Sequence, residues 1–256
     1  TMALTADRKA AFEYSDEWLE EGFSISPFSL PLKKQVFVPK KDYFGGLFGI
    51  FADSLPDAWG RLLLDRLLRA NHINPDEQGV LERLAIVGDS GMGALCYHPR
   101  RIMVSEQETD DLDELAEACR RIMNTEYSDK IDELYGLGGT SGGARPKIMT
   151  RIDGEDWITK FPAHVDRADI GQMEYDYSVC AKKCGIVMSE TRLFPSQRHA
   201  GYFGTRRFDR KMDGSKVHMA TAAALLELDF NQPCLDYHDL MKLTRIMTRD
   251  NKMDVE

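Results

Sequence analysis

Gly138-Gly139-Thr140-Ser141-Gly142-Gly143-Ala144-Arg145-Pro146-Lys147 opens the decisive stretch of this chain, and Trp157-Ile158-Thr159-Lys160-Phe161-Pro162 follows it. Between the two lies Asp153-Gly154, a dipeptide that favours the two-residue turn of a β-hairpin. Residues 145–161 therefore read as a hairpin whose second strand presents Lys160. An ammonium flanked by Ile158 and Phe161 is costly to bury without an anion, and Glu174 is the first acidic residue of the next helix. A strand lysine taken alone reads as a solvated edge residue. Between a glycine loop and a helical glutamate it reads as a ligand for phosphate. The loop has two readings of its own: a flexible connection, or a phosphate cradle in which Thr140 and Ser141 offer hydroxyls beside backbone N–H groups free of Cβ crowding.

Downstream, Met173, Tyr177, Cys180, Ala181 and Cys184 recur at helical spacing and Gly185 supplies a stop, so 170–184 reads as a helix with that stripe on one face. Strands are expected at 191–194 and 202–208, a turn at Asp213-Gly214, and helices at 220–228 and 237–249. Arg206, Arg207 and Arg210 have few like-charged neighbours and read as ion-pair partners within the fold, not as a nucleic-acid surface.

Upstream, short strands are expected near Ala11 to Tyr14 and at 35–38, with a turn at 16–19. A helix follows Asp53-Ser54, with Pro56 in its first turn and Trp59, Leu62, Leu63, Leu67 and Ala70 at helical spacing, ending near Asn71. Further helices are expected at 76–86, with Val80, Leu81, Leu84 and Ala85 inward, at 110–123, burying Leu112, Leu115, Cys119 and Ile122, and near 127–137. A strand is expected at 94–97. The glycine cluster at 88–93 follows a helix and leads into a strand, the reverse of a nucleotide loop, and reads as a structural turn.

The chain has 256 residues, 43% of them hydrophobic, and a formal charge of −9. That charge argues against binding driven by the nucleic-acid backbone. No apolar run approaches the roughly 20 residues of a membrane span, and the expected location is cytoplasmic. The acidic excess is local: residues 1–130 carry 15 basic and 23 acidic side chains, and 131–256 carry 18 and 19. Two unlike halves suggest two domains. Cys96, Cys119, Cys180, Cys184 and Cys234 lack metal-ligand spacing and read as reduced core thiols. The six histidines read as structural, and no metal site is expected.

In combination these motifs resemble the HipA family of bacterial toxin serine/threonine kinases. The resemblance rests on 51–60 (Phe-Ala-Asp-Ser-Leu-Pro-Asp-Ala-Trp-Gly), on Gly93-Ala94-Leu95, on Gly142-Gly143-Ala144-Arg145-Pro146-Lys147, on 157–162 and on Arg207-Phe208-Asp209-Arg210. It implies an α+β protein: a mixed β-rich amino-terminal domain with helices over 1–126, then a kinase-like small lobe over 127–256, an antiparallel sheet plus one αC-type helix. It implies ATP as cofactor, with Thr140, Ser141, Gly142, Gly143 and Lys160 at the phosphates, Glu174 paired with Lys160, and Arg206, Arg207 and Phe208 lining the adenine pocket. A regulatory phosphorylation falls on Ser141 or Thr140, and its charge would repel bound ATP. The implied partners are a DNA-binding antitoxin of the HipB type and a protein substrate such as an aminoacyl-tRNA synthetase, with no direct nucleic-acid or membrane contact.

No His-Arg-Asp or Asp-Phe-Gly segment precedes Glu256. The large helical lobe, with its catalytic aspartate and magnesium ligands, is expected to lie beyond it, and the chain alone is expected to be inactive. A non-catalytic module that docks on a kinase or antitoxin partner is the alternative. A third reading is an unrelated ATP-binding fold in which the glycine loop is a linker.

Overall fold

A computed structural model describes residues 1–101, 103, 111–140, 143–229 and 232–249. In chain order the elements are β1 (Met2–Leu4), β2 (Ala10–Phe12), α1 (Asp16–Glu21), α2 (Gly49–Ala52), α3 (Ala58–Ala70), α4 (Val80–Val87), α5 (Leu112–Met123), α6 (Ile131–Gly138), β3 (Lys147–Ile152), β4 (Glu155–Lys160), α7 (Ile170–Lys183), β5 (Thr191–Phe194), β6 (Tyr202–Arg206), α8 (Ala222–Leu226) and α9 (Tyr237–Met247). The protein is α+β, with antiparallel sheets. It packs as two compact units, one of Thr1–Asp53 with Ala220–Glu256, the other of Ser54–Met219. The expected boundary at 126/127 lies within the second of these units.

In Ser54–Met219 the antiparallel sheet runs β3-β4-β6-β5. The β3–β4 hairpin pairs Lys147 with Lys160 through to Ile152 with Glu155. It closes on Asp153 and Gly154, both at positive φ (55° and 81°), as the type I′ turn requires. Ile148, Trp157, Phe161, Phe194 and Tyr202 enter one core with Trp59, Leu63 and Leu67 of α3, Leu115 and Cys119 of α5 and Leu134 of α6. The opposite face carries α7. That helix approaches so closely that a Cβ on Gly171 would stand 2.2 Å from the Gly201 carbonyl oxygen. Ser178 of α7 and Thr191 of β5 share a buried hydroxyl contact of 2.8 Å.

In the other unit, β1 and β2 pair antiparallel and Phe12 bridges to Phe37. Phe12, Tyr14, Phe37 and Phe51 stack around this ribbon at centroid distances of 4.8–6.2 Å. α8 is fastened by two acids. Asp53 accepts from the Thr221 N–H (2.7 Å) and hydroxyl (2.8 Å), and Glu227 from the Gly49 N–H (3.0 Å). Burial pushes both carboxyls above their usual range, against the lowering effect of those hydrogen bonds. Acids with raised native pKa values stabilise the fold fully below the unfolded carboxylate range and lose that contribution as pH rises through the native values. Acidification from about pH 7 to about pH 5 is expected to strengthen the α8 attachment. Melting curves of wild type and of Asp53→Asn/Glu227→Gln at the two pH values check this, and an identical pH response in both would refute it.

Several elements depart from the sequence reading. Residues 16–19 belong to helix α1, because Ser15 accepts from the Trp18 N–H and caps it. The expected strand at 94–97 is irregular: Gly93 N–H is drawn to Asp209 and Tyr97 N–H to the Gly88 carbonyl. The α7 stripe does share one face, and that face is the outward one. Met173, Tyr177, Cys180 and Cys184 face solvent, and Gly171 and Ser178 are buried. Among the cysteines only Cys119 is a core thiol, the other four being exposed.

Candidate functional site

Lys160 ends β4, and its ammonium donates to Glu174 Oε2 on α7 at 2.7 Å. It also stands 5.3 Å from the Phe203 ring centroid. Glu174 lies on the second turn of α7, one turn beyond the Gly171 approach that holds the helix against the sheet. Arg145 reaches the other Glu174 oxygen at 4.0 Å and Asp166 at 2.8 Å. Antiparallel register puts Lys147 directly opposite Lys160, on the same face. Lys147 is buried, and that burial lowers its pKa, with Lys160 adding to the effect and Asp57 and Glu174 opposing it. Half-buried Met149, Ile158 and Thr205 continue this face along the sheet. Two ammonium groups thus stand at one end of a partly open apolar platform.

The glycine loop is held from below by the start of α3. Gly143 N–H donates to Asp57 Oδ2 (2.7 Å), Trp59 N–H to the Gly143 carbonyl (3.3 Å), and Trp59 Nε1–H to the Lys147 carbonyl (3.0 Å). A Cβ on Gly60 would stand 2.3 Å from the Gly139 carbonyl oxygen, so only glycine permits this approach. Residues 57–60 of that motif therefore act as a scaffold for the loop. Sequence reading missed that role, as it missed Lys147, whose place opposite Lys160 follows from counting the hairpin back from Asp153-Gly154.

Of the expected site residues, Lys160 and Glu174 are bonded to each other, and Gly143 lies beside Lys147, which stands opposite Lys160. Thr140 is buried and donates its hydroxyl to the Ser90 carbonyl at 3.0 Å, so it is turned into the fold. Ser141 and Gly142 lie outside the described residues. Arg206 pairs with Trp157, roughly 10 Å along the strand from Lys160, and occupies the opposite face, where it bonds Glu155 at 2.8 Å. Arg207 is buried against Asp209. Phe208 is 63% exposed and lines a groove of about 370 Å³ with Arg151, Asp156 and Lys211. The structure does not bring the two arginines to Lys160.

Arg207 and Arg210 instead converge on Asp209, which is fully buried and also accepts the Gly93 N–H at 2.8 Å. Arg210 in turn donates to the Gly91 and Gly93 carbonyls. The cluster at 88–93 is a structural turn, pinned by this charge network. Among the described residues, no group of three or more His, Cys, Asp or Glu side chains could hold a metal ion, and no helix is long and apolar enough to cross a membrane.

An antiparallel sheet flanked by one helix, with a strand lysine bonded to a helical glutamate, is the α+β lobe that the sequence resemblance implies. A family model described as the HipA N-terminal domain matches residues 1–98, and one described as the HipA-like C-terminal domain matches 139–256. The chain belongs to the HipA family. No curated protein matches it.

Proposed function

We propose that residues 139–219 form the ATP-binding lobe of a HipA-like serine/threonine protein kinase of a toxin–antitoxin module. The observation that carries this reading is the 2.7 Å Lys160–Glu174 pair on the open face of the sheet, beside a glycine loop. Phosphoryl transfer asks a protein mainly to position phosphates and compensate their charge. The residues present fit that task. Glu174 holds the Lys160 ammonium at the end of β4 and Lys147 places a second ammonium opposite it, while the Gly143 N–H is engaged by Asp57 and fixes the loop. Bound ATP supplies the transferable phosphoryl group, and Met149 and Ile158 offer an apolar surface for its base. Magnesium has no ligand set among the described residues. The reading extends to a cytoplasmic protein with a HipB-type antitoxin partner and a protein substrate such as an aminoacyl-tRNA synthetase.

Titration with a fluorescent ATP analogue tests it. Lys160→Met is expected to weaken binding by about tenfold or more, the loss of one charge-assisted hydrogen bond. Unchanged affinity in a folded variant would remove Lys160 from the phosphate site.

A further inference from the structure

Phe37 exchanges both backbone hydrogen bonds with Phe12, at 2.8 and 2.9 Å. In an antiparallel pair the N–H and C=O groups of the flanking residues, Val36 and Val38, then point away from β2. Among the described residues those groups hydrogen-bond to nothing. The Val36 and Val38 side chains are 59% and 44% exposed, while Phe37 between them is buried. Together with Phe28, Leu225 and Leu226 they line a groove of about 630 Å³. This is an open strand edge with an apolar centre.

The charges around it select the occupant. Lys33 and Lys34 precede the edge, Lys40 and Lys41 follow it, and all four are exposed, in a chain whose formal charge is −9. Lys34 is bonded to Asp16, and Lys41 to the Glu227 carbonyl, both at the surface. A second copy of this chain is disfavoured, because either strand direction would set lysines against lysines; edge lysines commonly guard against such pairing. Nucleic acid gains nothing from exposed valines and strand amides.

We propose that this edge takes an extended acidic segment of a partner protein, which joins the β2–Phe37 ribbon as an added strand. Backbone amides of Val36 and Val38 supply the pairing, the groove takes alternate apolar side chains, and the lysines receive carboxylates at both ends. The six steps from Lys34 to Lys40 span about 20 Å, so the segment has two acidic ends around a short apolar alternation.

The test uses a labelled peptide, Glu-Glu-Val-Thr-Val-Thr-Val-Glu-Glu, titrated into the full chain by fluorescence anisotropy. Val38→Pro deletes an N–H that no intramolecular bond uses, next to a residue already extended, so its melting temperature is expected to match wild type. Its peptide affinity is expected to fall about tenfold, the worth of one strand hydrogen bond with its geometry. Lys33→Glu/Lys40→Glu is expected to weaken binding at least as much, and more at low salt. No binding, or equal binding of the same peptide with lysine for glutamate or with N-methylated amides, overturns the proposal. So does concentration-dependent dimerisation abolished by Val38→Pro, which would assign the edge to a second copy. Duplex DNA binding lost in the double lysine variant but kept in Val38→Pro would make the surface a nucleic-acid contact and would equally overturn it.

Discussion

Replacing Asp209 with alanine is expected to destabilise the Ser54–Met219 unit by about 3–5 kcal/mol, the cost of stripping the partner from a buried ion pair. Asp209 is fully buried, and the side chains of Arg207 and Arg210 are only 7% and 11% exposed. Arg207 donates twice to the carboxylate, at 3.0 and 2.7 Å, and Arg210 once at 2.7 Å. Without Asp209 two guanidinium groups stay in the interior with only backbone carbonyls to receive them. The loop at 88–93 also loses the acceptor that holds the Gly93 N–H. Burial alone would push the Asp209 carboxyl up, but the hydrogen bonds from Arg207 and Gly93 and the two positive charges outweigh it and hold it below the usual carboxylate range. Its stabilisation is therefore present above the unfolded pKa and lost as pH falls through the native value. Urea unfolding measures the loss. Asp209→Asn keeps the shape and removes the charge, so most of the deficit is expected to persist. A loss under about 1 kcal/mol in either variant would show that the two arginines find other compensation.

Asp209 also marks where the sequence was legible and where it was not. The hairpin was readable because its turn chemistry is local: Asp153-Gly154 demands positive φ, and counting back from it sets every register pair. The Lys160–Glu174 pair was readable for a related reason, since a strand lysine between apolar residues needs an anion and the next helix offers one. Arg206 to Phe208 were read as a block, and the structure sends their side chains to different places. A strand sends successive side chains to opposite faces, so Arg206, opposite Trp157, leaves the Lys160 face. The α7 stripe was legible as one face, but which way that face turns depends on the Gly171–Gly201 contact, which draws the small residues inward. Contacts such as Gly143 to Asp57 join residues 86 apart. No local pattern announces them.

Trp59→Ala carries the other large effect, about 3–5 kcal/mol for emptying a tryptophan site. Trp59 is 1% exposed within the core that contains Trp157 and Ile148. Its indole N–H is also the donor to the Lys147 carbonyl, and its backbone N–H holds Gly143. Trp59→Phe separates the two roles. Phenylalanine keeps much of the buried area but removes the indole hydrogen bond to the Lys147 carbonyl, at a cost of about 0.5–1.5 kcal/mol. Lys147 opens β3 opposite Lys160, so the loss of that bond loosens both the root of the glycine loop and the second ammonium of the proposed phosphate site. Trp59→Phe is therefore expected to weaken ATP-analogue binding by up to about tenfold, although the indole is buried beneath the sheet and touches no part of its open face. Urea unfolding and analogue titration of both variants check this. If Trp59→Phe loses stability yet binds the analogue as tightly as wild type, the clamp at the start of α3 shapes the core without setting the loop.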